Sequence, residues 1–108
     1  MIPRAERFPM RIPLAYRATG DSEWLSGTTA NISASGVLFV ADSILEPGAP
    51  VEMRLVFPGR TADVPHGRVM CHGRIVRVQP LASAEGRSAL AATIANYRLL
   101  KADEPSHA

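Results

Sequence analysis

Short runs in which apolar and polar residues alternate extend along most of the chain, and glycine- or proline-containing breaks separate them. The clearest run is residues 51–57, where Val51, Met53, Leu55 and Phe57 alternate with other residues. A period of two is typical of a strand that buries one face. Further strands are predicted over residues 11–18, 23–30, 37–40, 66–79 and 88–95. Six or seven short strands predict an all-β fold, a closed or nearly closed antiparallel barrel.

The longest predicted strand, residues 66–79, does not keep one alternation throughout. The pattern changes phase near Gly73, and Val76 and Val78 bracket the change. Such a phase change, close to a glycine, predicts a β-bulge or a bend at this point of the strand.

The C-terminal part of the sequence predicts a different kind of element. Asn96 is a suitable N-cap for a short helix over residues 97–102, with Tyr97 and Leu100 facing inward. The chain is therefore expected to comprise a flexible N-terminal arm, the barrel domain with its short C-terminal helix and a disordered tail, at residues 1–10, 11–102 and 103–108.

Composition adds that the chain is a single globular domain. It has 108 residues, of which 46% are hydrophobic and 20% charged, and its formal net charge is +2. Cys71 is the only cysteine, so no intrachain disulfide can form. No apolar stretch approaches the length of a signal core or a membrane span, which predicts a cytoplasmic protein with no membrane insertion. Lys101 is the only lysine among twelve basic residues.

Two polar segments carry the candidate chemistry. Arg7 and Arg11 lie four residues apart where the N-terminal arm meets the first predicted strand of the barrel, and Asn31, Ser33 and Gly36 follow about 20 residues later. Together they resemble the paired RxxxR and [D/N]xSxxG motifs of the PilZ domain family. The resemblance covers roughly residues 4–100, because the apolar run after the second motif and the later segment Gly-Arg-Ile-Val-Arg-Val are also similar to the family.

The resemblance implies a non-enzymatic receptor for cyclic di-GMP that needs no cofactor. The implied ligand-binding residues are Arg7, Arg11, Asn31, Ser33, Ser35 and Gly36, and Arg4 and Arg74 are further candidates for the ligand surface. These residue types suit the ligand, because an arginine can grip a phosphate or the O6/N7 edge of guanine with two hydrogen bonds. A side-chain carbonyl at Asn31 can accept from guanine N–H groups, and Ser33 can bond a phosphate or base. Gly36 permits a close backbone approach or a positive φ.

At three positions the chain carries a residue other than the one that is common in the family or in some of its members. Asn31 replaces the commoner aspartate, and Ser35 stands where glycine is frequent. Glu6 stands where relatives that hold a stacked ligand dimer often carry an extra arginine, so one ligand molecule per site is expected. Arg4 is close enough in sequence to compensate.

Several other functions remain open at this point. By resemblance, ligand binding would order the N-terminal arm and signal to an unidentified effector protein in trans, in the control of motility or biofilm formation. The first alternative is a PilZ-like adaptor that binds protein but no nucleotide. The sequence disfavours nucleic acid, because few aromatic residues accompany the basic ones. Metal binding is also disfavoured, since Cys71 and His72 point to opposite faces of a strand. A monomer or a weak homodimer is expected.

Overall fold

The structure, a computed structural model, describes residues 8–58, 66–81 and 86–100, which form eight antiparallel strands. The strands are β1 (Phe8–Pro9), β2 (Pro13–Ala18), β3 (Leu25–Ile32), β4 (Gly36–Ala41), β5 (Pro50–Pro58), β6 (His66–Pro80), β7 (Ser88–Thr93) and β8 (Asn96–Leu100). Strands β2 to β7 make a six-stranded sheet in the order β3-β2-β5-β6-β7-β4, and pairing of β3 with β4 closes it into a barrel. The predicted all-β antiparallel barrel is confirmed.

The interior of the barrel contains the alternating apolar residues that the pattern predicts. Val51, Met53 and Leu55 of β5 are buried, and so are the inward positions of β2 and β7. The largest interior pair is Tyr16 and Phe39, whose ring centroids lie 4.9 Å apart. The Tyr16 hydroxyl donates to the carbonyl of Ser43, and burial raises the pKa of that phenol. Alternation alone therefore places the core correctly in these strands.

The predicted C-terminal helix is wrong, because residues 96–100 form strand β8 along the first half of β6. Tyr97 was expected to face inward, but its side chain is 63% exposed. The physical reason lies in β6, which has 15 residues and extends beyond the end of β7. Its unpaired backbone groups are satisfied when the chain after β7 continues along the same edge. The bond from the Ala95 amide to the His72 carbonyl (2.8 Å) begins this second ladder.

The predicted irregularity of β6 is confirmed. The register between β6 and β7 shifts between Ile75 and Arg77, so Val76 occupies a bulge and is 54% exposed. Gly73 lies just before the bulge, where a Cβ atom would stand 1.7 Å from the carbonyl oxygen of Thr93. Only glycine admits so close an approach of two backbones. It occurs where the chain passes from β7 towards β8 along β6.

The two ends of the chain are described only in part. The predicted flexible arm over residues 1–10 is described from Phe8 onward, where β1 pairs with β3. The predicted tail over residues 103–108 lies outside the described residues. In the described part of the chain, no helix has the length and apolar character needed to span a membrane.

Candidate functional site

The two motif segments are neighbours in the sheet. Strand β1 pairs with the last two residues of β3, so that Pro9 lies opposite Asn31. One residue further, the Met10 amide donates to the Ala30 carbonyl at 3.3 Å. Arg11 follows directly and its side chain is exposed. Residues that stand about 20 positions apart in the sequence therefore lie on adjacent segments of one surface.

The buried side chain of Thr29 holds the backbone on both sides of Arg11. The Thr29 hydroxyl donates to the Met10 carbonyl at 2.5 Å and accepts from the Ile12 amide at 2.9 Å. The Thr29 amide in turn donates to the Ile12 carbonyl at 3.0 Å. Both neighbours of Arg11 are thus bonded to one residue of β3, which sets the backbone position from which the guanidinium extends.

The second segment is a tight loop that Ser33 holds together. The Ser33 hydroxyl accepts from the amides of Ser35 (3.2 Å) and Gly36 (3.1 Å), and the Ser33 amide donates to the Gly36 carbonyl at 2.8 Å. This is the local side-chain-to-backbone pattern that serine favours in turns. From the other side, the Ile94 amide donates to the Ser35 carbonyl at 2.9 Å. The loop is therefore fastened both to itself and to the end of β7.

These contacts bear on the roles expected for three loop residues. Ser33 is only 6% exposed and its hydroxyl is engaged within the loop, so the geometry favours a positioning role. Ser35 is exposed at the turn. Gly36 is buried at the start of β4, opposite Thr93, and it is not one of the described glycines with positive φ. Direct contact of these residues with a ligand stays a prediction.

The other predicted ligand residues lie in three different situations. Arg4 and Arg7 are outside the described residues. Arg74 is exposed, but its guanidinium donates to the Gly48 carbonyl at 2.8 Å and so lies against the turn before β5. Asn31 is half-buried near the end of β3, opposite Leu38 of β4. The structure therefore brings the residues just before Arg11 beside the end of β3, where Asn31 lies. Arg74 lies next to Thr93, the partner of Gly36, and its side chain extends to the turn before β5.

Thr29 is the residue that the sequence reasoning missed. Across the residues that the structure describes, Thr29 and Ser33 are the only buried polar side chains, and each fastens one of the two motif segments. A signal was present, because Thr29 has the parity of Leu25 and Gly27 in the same strand. A polar residue at an inward position of a strand needs a buried hydrogen-bond partner.

An apolar cavity of about 330 Å³ opens at the end of the barrel beside the loop. Ser33 and Ala34 form part of one wall, and Tyr97 and Leu99 of β8 also line the opening. Cys71 lies deeper, and burial raises the pKa of its thiol to about 11. A thiol with so high a pKa is protonated at neutral pH and is a poor nucleophile.

Comparison with known proteins identifies the family of the chain. The model of the PilZ domain family matches residues 3–91, a range that includes both motif segments, and the chain therefore belongs to the PilZ domain family. PilZ domains are binding and adaptor domains that are generally associated with cyclic di-GMP.

Among solved structures, the chain is similar to the PilZ domain of CeSA from a cellulose-synthesizing bacterium. The two are 24% identical with a TM-score of 0.56, and the match covers 85% of this chain and 84% of that chain. This likeness supports the barrel fold. None of the curated proteins compared with the chain matches it.

Proposed function

We propose that this PilZ domain is a receptor for cyclic di-GMP, with a site formed by Arg7, Arg11 and residues 31–36. The observation that carries the proposal is the pairing of β1 with the end of β3. This pairing supports the proposal, because the residues just before Arg11 lie beside the strand end that leads into the polar loop, and a dinucleotide with two phosphates and two guanines needs both cationic and polar groups. Family membership supports the same ligand.

The residues divide the work between contact and positioning. Arg11 supplies charge-assisted hydrogen bonds to a phosphate or to the O6/N7 edge of a guanine. Asn31 presents a side-chain carbonyl to guanine N–H groups. Thr29 and Ser33 hold the backbone of the two segments, and neither hydroxyl needs to touch the ligand.

Signalling would depend on the N-terminal arm, which is a separate segment from the loop of the barrel. A ligand that bridges Arg7, Arg11 and the loop adds contacts between the N-terminal arm and the barrel, and so changes the surface that a partner protein meets. The effector would be a separate cytoplasmic protein, in the control of motility or biofilm formation, and the receptor itself a monomer or a weak homodimer.

Calorimetric titration of the purified protein with cyclic di-GMP, beside GTP as a control ligand, tests the proposal. We expect binding of cyclic di-GMP by the wild type and a loss of about 10- to 100-fold in affinity for Arg11→Ala, because charge-assisted hydrogen bonds contribute about 1.5–3 kcal/mol. Arg77→Ala is the matched control, since Arg77 is an exposed arginine of β6 opposite Ala91 of β7.

The outcomes separate the two functions left open by the sequence. An unchanged affinity in Arg11→Ala, or an equal loss in Arg77→Ala, would show that the site is assigned to the wrong residues. No heat from wild-type protein would refute the receptor and leave an adaptor that binds protein alone.

A further inference from the structure

The outer face of the sheet formed by β2, β5, β6 and β8 concentrates positive charge. The register of these strands places five arginines and one acid on this face: Arg17, Arg54, Arg68, Arg74, Arg98 and Glu52. Five arginines and one glutamate give the face a formal charge of +4, whereas the whole chain has only +2. The remainder of the chain is therefore slightly acidic, and the positive charge is local to this face.

Most of that charge is not neutralised within the protein. Arg17 donates to the Glu52 carboxylate at 2.8 Å, which accounts for the one acid of the face. Across the part of the chain that the structure describes, no carboxylate lies within ion-pair distance of Arg54, Arg68 or Arg98. Arg68 and Arg98 are exposed, and Arg54 is half-buried.

Three of the arginines, Arg17, Arg54 and Arg68, follow a diagonal across the strands. Arg54 lies opposite Met70 of β6, and Arg68 is two residues from Met70. On its other side Arg54 lies opposite Ala15 of β2, and Arg17 is two residues from Ala15. Diagonal neighbours of this kind in an antiparallel sheet are about 7–8 Å apart. Alternate side chains of an extended peptide recur about every 6.7 Å along one side, which matches this spacing.

A hollow of about 400 Å³ accompanies the charges. Arg54, Val56 and Arg68 border it, and the small residues Ala15 and Ser26 contribute to its lining. The hollow thus combines apolar surface with two guanidinium groups, which suits a peptide that presents both a backbone and carboxylates.

We propose that this face binds an acidic, extended segment of a partner protein, with carboxylates at alternate positions. Charge complementarity requires an anion, and the diagonal spacing fits an extended peptide. Two cation–π contacts on Trp24 disfavour a nucleic acid. The guanidinium carbons of Arg17 and Arg54 lie 4.2 and 4.0 Å from the centroid of the Trp24 ring. The ring that a base would need for stacking is already engaged.

Calorimetric titration of the full chain with the synthetic peptide Glu-Thr-Glu-Thr-Glu-Thr tests the proposal. Two control peptides are Glu-Glu-Glu-Thr-Thr-Thr, which has the same composition, and Lys-Thr-Lys-Thr-Lys-Thr. We expect the alternating acidic peptide to bind most tightly. The double variant Arg54→Gln/Arg68→Gln is expected to weaken this binding about five- to ten-fold, because partly exposed ion pairs contribute modestly. Arg77→Gln, which removes a charge elsewhere on β6, is expected to have no effect.

Trp24 provides an internal reporter, since it is the only tryptophan of the chain and lies beside Arg54. Its emission should change when the alternating peptide binds to wild type and to the Arg77→Gln variant. Equal affinities for the alternating and blocked acidic peptides would overturn the proposal, and so would undiminished binding by the double variant. Tighter binding of oligothymidylate than of the peptide, lost in the same double variant, would assign the face to nucleic acid instead.

Discussion

Thr29 and Ser33 hold the two halves of the candidate site with the same chemical group, a buried hydroxyl, but at very different ranges in sequence. The Ser33 hydroxyl bonds amides two and three residues away, so the loop is closed by its own chain. The Thr29 hydroxyl bonds backbone groups 19 and 17 residues away, so the arm is held only when the barrel has formed. The loop is a local structure, whereas the position of Arg11 is a property of the fold.

Because of this difference in range, the two hydroxyls contribute differently to the free energy of unfolding. A local turn keeps part of its hydrogen bonding in the unfolded chain, so its loss changes stability less. The long-range bonds of Thr29 exist only in the folded barrel, where its bond with the Ile12 amide is buried and its bond with the Met10 carbonyl is part-buried. Removing the Thr29 hydroxyl should therefore cost more than removing that of Ser33.

Thr29→Val, which keeps the shape of the side chain and removes its hydroxyl, should give the largest effect. It leaves the Ile12 amide and the Met10 carbonyl without a partner, and we expect a loss of about 2–4 kcal/mol in the free energy of unfolding. Thr28→Val is the matched control, because Thr28 is the exposed neighbour in β3, and its effect should stay within about 0.5 kcal/mol. Denaturant unfolding measures both, and equal losses in the two variants would contradict the role assigned to Thr29.

The same substitution should also weaken cyclic di-GMP binding, but only through Arg11. In a double-mutant cycle, Thr29→Val should lower affinity about ten-fold in the wild type and have little further effect in Arg11→Ala, since the positioned group is then absent. Thr29→Ser keeps a hydroxyl and should restore most of the affinity. Additive losses in the cycle would mean that Thr29 affects the site by another route.

Ser33→Ala should have a smaller effect on stability. We expect a loss of about 1–2 kcal/mol, because the Gly36 amide is left buried without an acceptor, while the Ser35 amide can turn to water. Ser35→Ala is the control in the same loop, since Ser35 is exposed and, among the described residues, its hydroxyl has a hydrogen-bond contact only with that of Ser33, at 3.4 Å. Denaturant unfolding measures both variants. A larger loss of stability for Ser35→Ala than for Ser33→Ala would show that Ser33 is not the residue that holds the loop.

The features that could be predicted from the sequence are those that depend on residues close together in the chain. Alternation predicted strands β2 to β7, most core positions and an irregularity of β6 near Gly73, because a strand with one buried face records its orientation in consecutive residues. The serine and glycine of the loop were also recognisable, since the bonds they make are local.

The features that the sequence did not give depend on contacts between distant residues. Nothing local to Asn96 shows that β6 offers an unpaired edge, so a cap-like residue was interpreted as the start of a helix. The importance of Thr29 depends on where Met10 and Ile12 lie, and Gly73 is needed because Thr93 approaches it. Such requirements arise from the closed barrel and are invisible in any short window of sequence.

Asn31→Asp should have the smallest effect, and it tests which group of the ligand lies beside position 31. A carboxylate accepts hydrogen bonds from guanine N–H groups more strongly than an amide carbonyl, so affinity for cyclic di-GMP should rise about two- to five-fold. Repulsion from the ligand phosphates opposes this gain, and it would dominate if position 31 faced a phosphate. Calorimetry at low and high salt separates the two cases, because repulsion between charges is screened by salt. A weaker complex that recovers at high salt would place a phosphate, and not a guanine edge, beside the end of β3.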